Sequence, residues 1–127
     1  MNQRNILLTA SVLGLFAVGL GAFGAHALKA TLTMTGRADT YDLAVRYQFY
    51  HTLVLLATGI LIEKFPSLKI STILFIIGII IFSGSLYILS LTNQTMWGAV
   101  TPIGGVFLMA GWLSSGLVFL KRRKQNL

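Results

Sequence analysis

The stretch Arg46-Tyr47-Gln48-Phe49-Tyr50-His51-Thr52 carries the most chemistry in this 127-residue chain. Within seven positions it offers a fixed cation, a histidine that titrates near neutrality, a carboxamide, two phenols and a hydroxyl. At helical spacing Tyr47 stands one turn from His51, Arg46 from Tyr50 and Gln48 from Thr52. His26, Ser83, Ser85, Tyr87, Ser90 and Thr101 are the other polar side chains whose positions could converge on it. Such a set can do three things: tie helices together by hydrogen bonds, hold a lipid, ion or small molecule, or move a proton. Catalysis is the weakest of these, because no carboxylate dyad and no Ser-His-Asp order exists with all members at the same depth. No catalytic residue is assigned, and the chain is expected not to be an enzyme. Two histidines could ligate a metal, but no Asp or Glu accompanies them at depth and there is no cysteine, so neither a metal nor a cofactor is expected.

The elements that must position these residues are set by composition. The chain is 55% hydrophobic and only 10% charged, with a mean hydropathy of +0.79. A soluble domain carries roughly a quarter charged residues, so the surface here is suited to a bilayer. Crossing a hydrocarbon core of about 30 Å takes about 20 apolar residues in a helix. Four runs have that length, at approximately 6–28, 41–62, 70–91 and 100–120, and their continuous character excludes the alternation of barrel strands. The expected fold is therefore all-α: one membrane domain over 1–127, an integral four-helix bundle with antiparallel neighbours.

Local signals punctuate these runs. Asp39 and Asp42 can cap the second helix, and Asp42 with Arg46 makes an i,i+4 pair. Pro66 ends that helix and Ser67 can cap the third. Asn93 and Gln94 close the third, and Pro102 falls in the first turn of the fourth, where its missing amide hydrogen is harmless. Both termini then share a side with Arg4, Lys64, Lys69 and the run Lys121-Arg122-Arg123-Lys124. The opposite side has Lys29, Arg37 and Arg46, offset by Asp39 and Asp42. The positive-inside bias puts both termini in the cytoplasm. It also explains the net charge of +7 without nucleic acid, which is not expected as a partner.

Gly19-Leu20-Gly21-Ala22-Phe23-Gly24 matches G-x-G-x-x-G, but a dinucleotide turn needs a strand before it and a helix after it. Here the glycines lie inside one apolar run. Ala25-His26-Ala27 resembles a signal cleavage site, yet the preceding apolar stretch exceeds the usual 7 to 15 residues, so an uncleaved helix is expected. Small residues at four-residue spacing allow close helix approach in lipid, where packing replaces the hydrophobic effect. Gly14, Gly21, Gly24, Gly84, Gly104, Gly105 and Gly111 are the expected packing positions. Their abundance also suggests a homo-oligomer, and membrane lipids are the expected partners.

GAFGAHAL at 21–28, RYQFYHTL at 46–53, FSGSLYILSL at 82–91 and TPIGGVFLMAGW at 101–112 closely resemble the YgdD and YwdK family of small bacterial inner-membrane proteins. That family is domain-of-unknown-function family 423, which is related to a eukaryotic transmembrane protein. The resemblance spans nearly the whole chain. It implies a four-helix protein of the bacterial inner membrane and brings no established activity. Its motif positions fall on Gly21, Gly24, His26, Arg46, Tyr47, Gln48, His51, Ser83, Gly84, Tyr87, Thr101, Pro102, Gly104 and Gly105. The favoured function is a structural or lipid-interacting membrane protein whose polar cluster, of His26, Arg46, Tyr47, Gln48, His51, Ser83, Ser85, Tyr87 and Thr101, joins the outer halves of the helices. The alternative is a small transporter or channel component that uses the same cluster as a binding site for an unknown small molecule.

Overall fold

A computed structural model describes residues 1–125, with side chains to Lys121; the side chains of Arg122, Arg123 and Lys124, on which part of the expected orientation rests, lie outside the described residues. The described residues are all-helical. They form α1 (Gln3–Ala25), α2 (Lys29–Met34), α3 (Ala38–Leu61), α4 (Leu68–Thr92), a 3-10 turn (Thr95–Ala99) and α5 (Thr101–Gln125). The four long helices have 23, 24, 25 and 25 residues, or about 35–38 Å at 1.5 Å per residue.

Two of the expected boundaries shift. The first run, expected to 28, stops being helical at Ala25, with His26 as its cap, and the chain restarts as the separate six-residue α2. The junction before α5 also holds a 3-10 turn rather than plain loop. Of the capping expectations, Asp39 lies inside the first turn of α3 and caps nothing, while Arg37 holds the N-cap position without a side-chain bond. Ser67 stands at the N-cap of α4 but its hydroxyl makes no cap bond. Asn93 does end α4, in the left-handed region at φ 56°, a conformation its short polar side chain tolerates. Its Oδ1 accepts from Arg37 Nε at 2.7 Å, which fastens the α2–α3 junction to the end of α4.

Consecutive long helices run antiparallel. Ile6 near the start of α1 packs with Ile62 beyond the end of α3, and Gly24 near the end of α1 meets Tyr41 near the start of α3. In the same way Ser83 pairs with Ala44 and Thr72 with Thr58, and Phe82 lies on Gly104 and Phe75 on Gly111. The packing order is α1–α3–α4–α5, with α4 carrying the longest run of buried positions. A central core of Ala10, Leu55, Phe75, Ile79 and Leu108 draws on all four long helices. The outward positions are large and apolar: Leu8, Val12, Leu15, Phe16 and Val18 on α1, and Ile103, Val106, Met109 and Leu113 on α5. A face of that kind is stable in hydrocarbon and costly in water.

Among the described residues, three segments are long and apolar enough to cross a membrane: Gln3–Ala25, Leu68–Thr92 and Thr95–Lys121. α3 is as long, but Arg46, Gln48 and His51 lower its apolar character.

The glycines act by letting helices meet. A Cβ on Gly104 would run into the backbone of Phe82, which has no flexible end to yield. A Cβ on Gly24 would overlap the Tyr41 ring, and one on Gly111 would lie 2.7 Å from Phe75. Gly21 is tight against Val45, Gly14 is in ordinary contact with Thr52, and Gly105 is only near the Phe82 ring. Gly84 is a correction: nothing lies within 4 Å of the place its Cβ would take, so its phase on α4 points away from both neighbours. Two close approaches fall instead on glycines not singled out in sequence, Gly59 against Leu7 and Gly78 against Leu108.

Candidate functional site

Gln48 is the centre of the polar cluster. It lies on the face of α3 that is buried between α1 and α4, 4% exposed. Its Nε2 donates to the Leu13 carbonyl of α1 at 2.8 Å, and its Oε1 accepts from the Tyr87 hydroxyl of α4 at 2.8 Å. One carboxamide thus bridges three helices with both ends satisfied, as a buried amide requires. The Leu13 carbonyl is exposed to this bond one turn before Ala17, where small α1 residues let α3 come close.

The neighbouring polar groups close in similar fashion. The Tyr41 hydroxyl donates to the Leu20 carbonyl at 2.6 Å, and its ring meets Tyr87 edge-on, centroids 5.3 Å apart. Ser83 donates to the Ala44 carbonyl at 2.8 Å. Ser85 and Thr101 share a 2.6 Å bond that joins α4 to the start of α5, on a different side of α4 from Gln48. Ser90 and Thr52 return their hydroxyls to carbonyls one turn back in their own helices.

His51 is fixed by a second device. Its Nδ1 lies 2.8 Å from the Tyr47 carbonyl, which can only accept, so that nitrogen carries the hydrogen. Its Nε2 then accepts from the Trp112 indole N–H of α5 at 3.2 Å. The ring is consequently the neutral tautomer with both nitrogens engaged, and binding a metal or a substrate proton would mean giving up the Trp112 bond. Phe75 packs against both rings, at 5.8 Å from His51 and 5.5 Å from Trp112. Tyr47 stacks on Phe82 at 4.8 Å and lies 5.9 Å from His51. Trp112 lies outside the cluster expected from sequence, although an indole N–H about 16 Å along a span is itself a signal, because it needs an acceptor.

Two members of the expected cluster are elsewhere. His26 caps the end of α1 and is exposed, away from His51. Arg46 points outward: its guanidinium pairs with Asp42 at 2.7 Å, and the two side chains are 55% and 60% exposed. The 3.6-residue turn separates Arg46 from Gln48 onto different faces, although they are two positions apart.

At the other end of the long helices the polar side chains are fewer and also bonded. Thr72 donates to Thr58 at 3.2 Å, and Ser71 to Ser114 at 3.0 Å. Among the described residues, no buried side-chain nitrogen or oxygen lacks a hydrogen-bond partner, and no three His, Asp or Glu side chains come together.

A family model described as "Protein of unknown function (DUF423)" matches residues 20–105. The chain is 36% identical over 127 residues to the UPF0382 inner membrane protein YgdD of Escherichia coli K12, with 97% of this chain and 96% of the relative covered. It is 48% identical over 101 residues to UPF0382 membrane protein SSP2132 of Staphylococcus saprophyticus (78% and 82% covered). With SERP0230 of Staphylococcus epidermidis, another UPF0382 membrane protein, it shares 44% over 109 residues (84% and 88%). No solved structure matches. The matched region includes Gln48, Tyr87, His51 and Gly104, and excludes Leu13 and Trp112. Together with three helices able to cross a bilayer, these relatives assign the chain to the bacterial inner membrane. By the family match and by relatives along nearly its whole length, the chain belongs to the DUF423 family of membrane proteins.

Proposed function

We propose that the protein is a non-enzymatic, four-span helical bundle with both termini in the cytoplasm, whose polar cluster is an internal brace rather than a binding site. The observation that carries this is the complete pairing of buried polar atoms among the described residues. A ligand site keeps donors and acceptors free for its ligand; here Gln48, Tyr87, His51 and Trp112 are consumed by one another and by carbonyls. α3 counts as the fourth span because Gln48 and His51 face neighbouring helices, which is how polar residues are tolerated at membrane depth, while the exposed Arg46–Asp42 pair lies toward its outer end. The orientation is supported by Arg4, Lys64, Lys69 and Lys121 at one end, against an opposite end where Asp42 neutralises Arg46.

Thermal unfolding in detergent tests the brace. Gln48→Leu and His51→Ala should each lower Tm while solute flux through liposomes stays at background. Specific flux in the parent protein that either variant abolishes would replace the brace with a transport site. The chain has no cysteine, so single cysteines at Gln3 and Thr95 labelled with an impermeant maleimide test the orientation. Thr95 should label in intact cells and Gln3 only after lysis.

A further inference from the structure

A cleft of about 230 Å³ lies where the end of α1, the short α2 and the start of α3 meet, outside the brace. Gly21 and Gly24 form one wall without side chains, Leu32 and Val45 give it apolar surface, and Lys29 and Asp42 bring charge to it. The two charges are not equivalent. Asp42 is already held by Arg46 at 2.7 Å, whereas Lys29 has no acidic side chain within ion-pair distance among the described residues. The cleft therefore presents one uncompensated cation beside apolar walls. It sits where the chain passes from the polar residues Arg37 to Asp42 into the apolar length of α1 and α3, the level of lipid headgroups on the topology proposed above.

We propose that this cleft seats one glycerophospholipid, its phosphodiester on Lys29 and the glycerol end of its acyl chains over Leu32 and Val45. An inorganic anion would satisfy Lys29 but leave those walls uncovered, and an uncharged lipid would do the reverse. An anionic headgroup joined to hydrocarbon matches both, and the phosphodiester is the one that a bilayer supplies in bulk. The site rests on placing this end of the bundle at the membrane surface. The maleimide labelling above reports failure of that placement separately from failure of the site.

Native mass spectrometry of the full chain released from phosphatidylglycerol nanodiscs is the test. The parent protein should keep one phosphatidylglycerol after bulk lipid is stripped. Lys29→Gln should weaken its retention about fivefold, the worth of one surface lysine near an anionic lipid. Val45→Trp, which fills the cleft, should abolish it, and Lys69→Gln at the opposite end should change nothing. If Val45→Trp fails to fold, Ala25→Leu blocks the same cleft. Diacylglycerol should be held no better by the parent than by Lys29→Gln, and millimolar inorganic phosphate should not displace the lipid. Equal retention by the parent, Lys29→Gln and the cleft-filling variant would overturn the proposal, as would displacement by phosphate, which would make this a free-anion site.

Discussion

The α3–α4 and α4–α5 seams join the same central helix to its two partners by different means. Between α3 and α4 no glycine makes a close approach; the helices are held by Gln48 to Tyr87, Ser83 to Ala44 and Thr72 to Thr58, with Tyr47 stacked on Phe82. Between α4 and α5 the hydroxyl pairs Ser85–Thr101 and Ser71–Ser114 are accompanied by what the other seam lacks, glycines that bring the helices into contact: Gly104 at the Phe82 backbone, Gly78 at Leu108 and Gly111 at Phe75. In lipid neither seam can draw on the hydrophobic effect, so each depends on close packing or on polar bonds that hydrocarbon cannot supply. The difference predicts which substitutions each seam tolerates: a glycine seam fails when volume is added, and a polar seam when a bond is removed.

The largest effect should come from volume in the glycine seam. Gly104→Leu must push α5 off the Phe82 backbone and should cost about 3 kcal/mol, read as a drop of roughly 10 °C in apparent Tm. Gly84→Leu, only twenty positions away and in open space, should stay within about 0.5 kcal/mol. If the two shifts were alike, packing would not be what distinguishes these glycines.

Next comes the polar seam. Gln48→Leu removes two cross-helix bonds, leaving the Tyr87 hydroxyl without its acceptor and the Leu13 carbonyl with only its bond inside α1, a cost of about 2 kcal/mol. The same substitution read by amide exchange should loosen α1 and α4 together, because Gln48 bridges both.

A smaller loss should follow from Trp112→Phe, which keeps the ring against Phe75 and removes only the donor to His51. About 1 kcal/mol is expected in chemical denaturation. The smallest belongs to Arg46→Ala. Its pair with Asp42 is exposed and solvated, so Tm should move by no more than about 1–2 °C, or about 0.5 kcal/mol.

These contrasts also mark what could be read from sequence. The four long helices were legible because continuous apolar runs, Pro66, Asn93 and Pro102 are local signals. The chemistry-bearing stretch of α3 was legible because polar residues at that depth are conspicuous. Helical phase was not. Arg46 and Gln48 belong to one motif yet face solvent and core, and Gly84 shares a motif with Ser83 yet touches no neighbour while Ser83 is bonded to Ala44. Pairings across the fold were equally hidden: nothing local ties His51 to Trp112, 61 positions away, or Arg37 to Asn93. The break at His26 escaped because the apolar character of the chain continues past the point where the helix ends.

A double-mutant cycle between Gln48 and Tyr87 asks most directly whether the polar cluster is a brace. Gln48→Leu, Tyr87→Phe and the pair are compared by reversible unfolding in detergent, with liposome flux measured on the same preparations. A coupling of about 0.6–1.7 kcal/mol, the range found for hydrogen bonds between membrane helices, with flux at background throughout, is the predicted result. Additive effects near zero, together with a solute flux that the substitutions abolish, would contradict it and return the cluster to the role of a binding site.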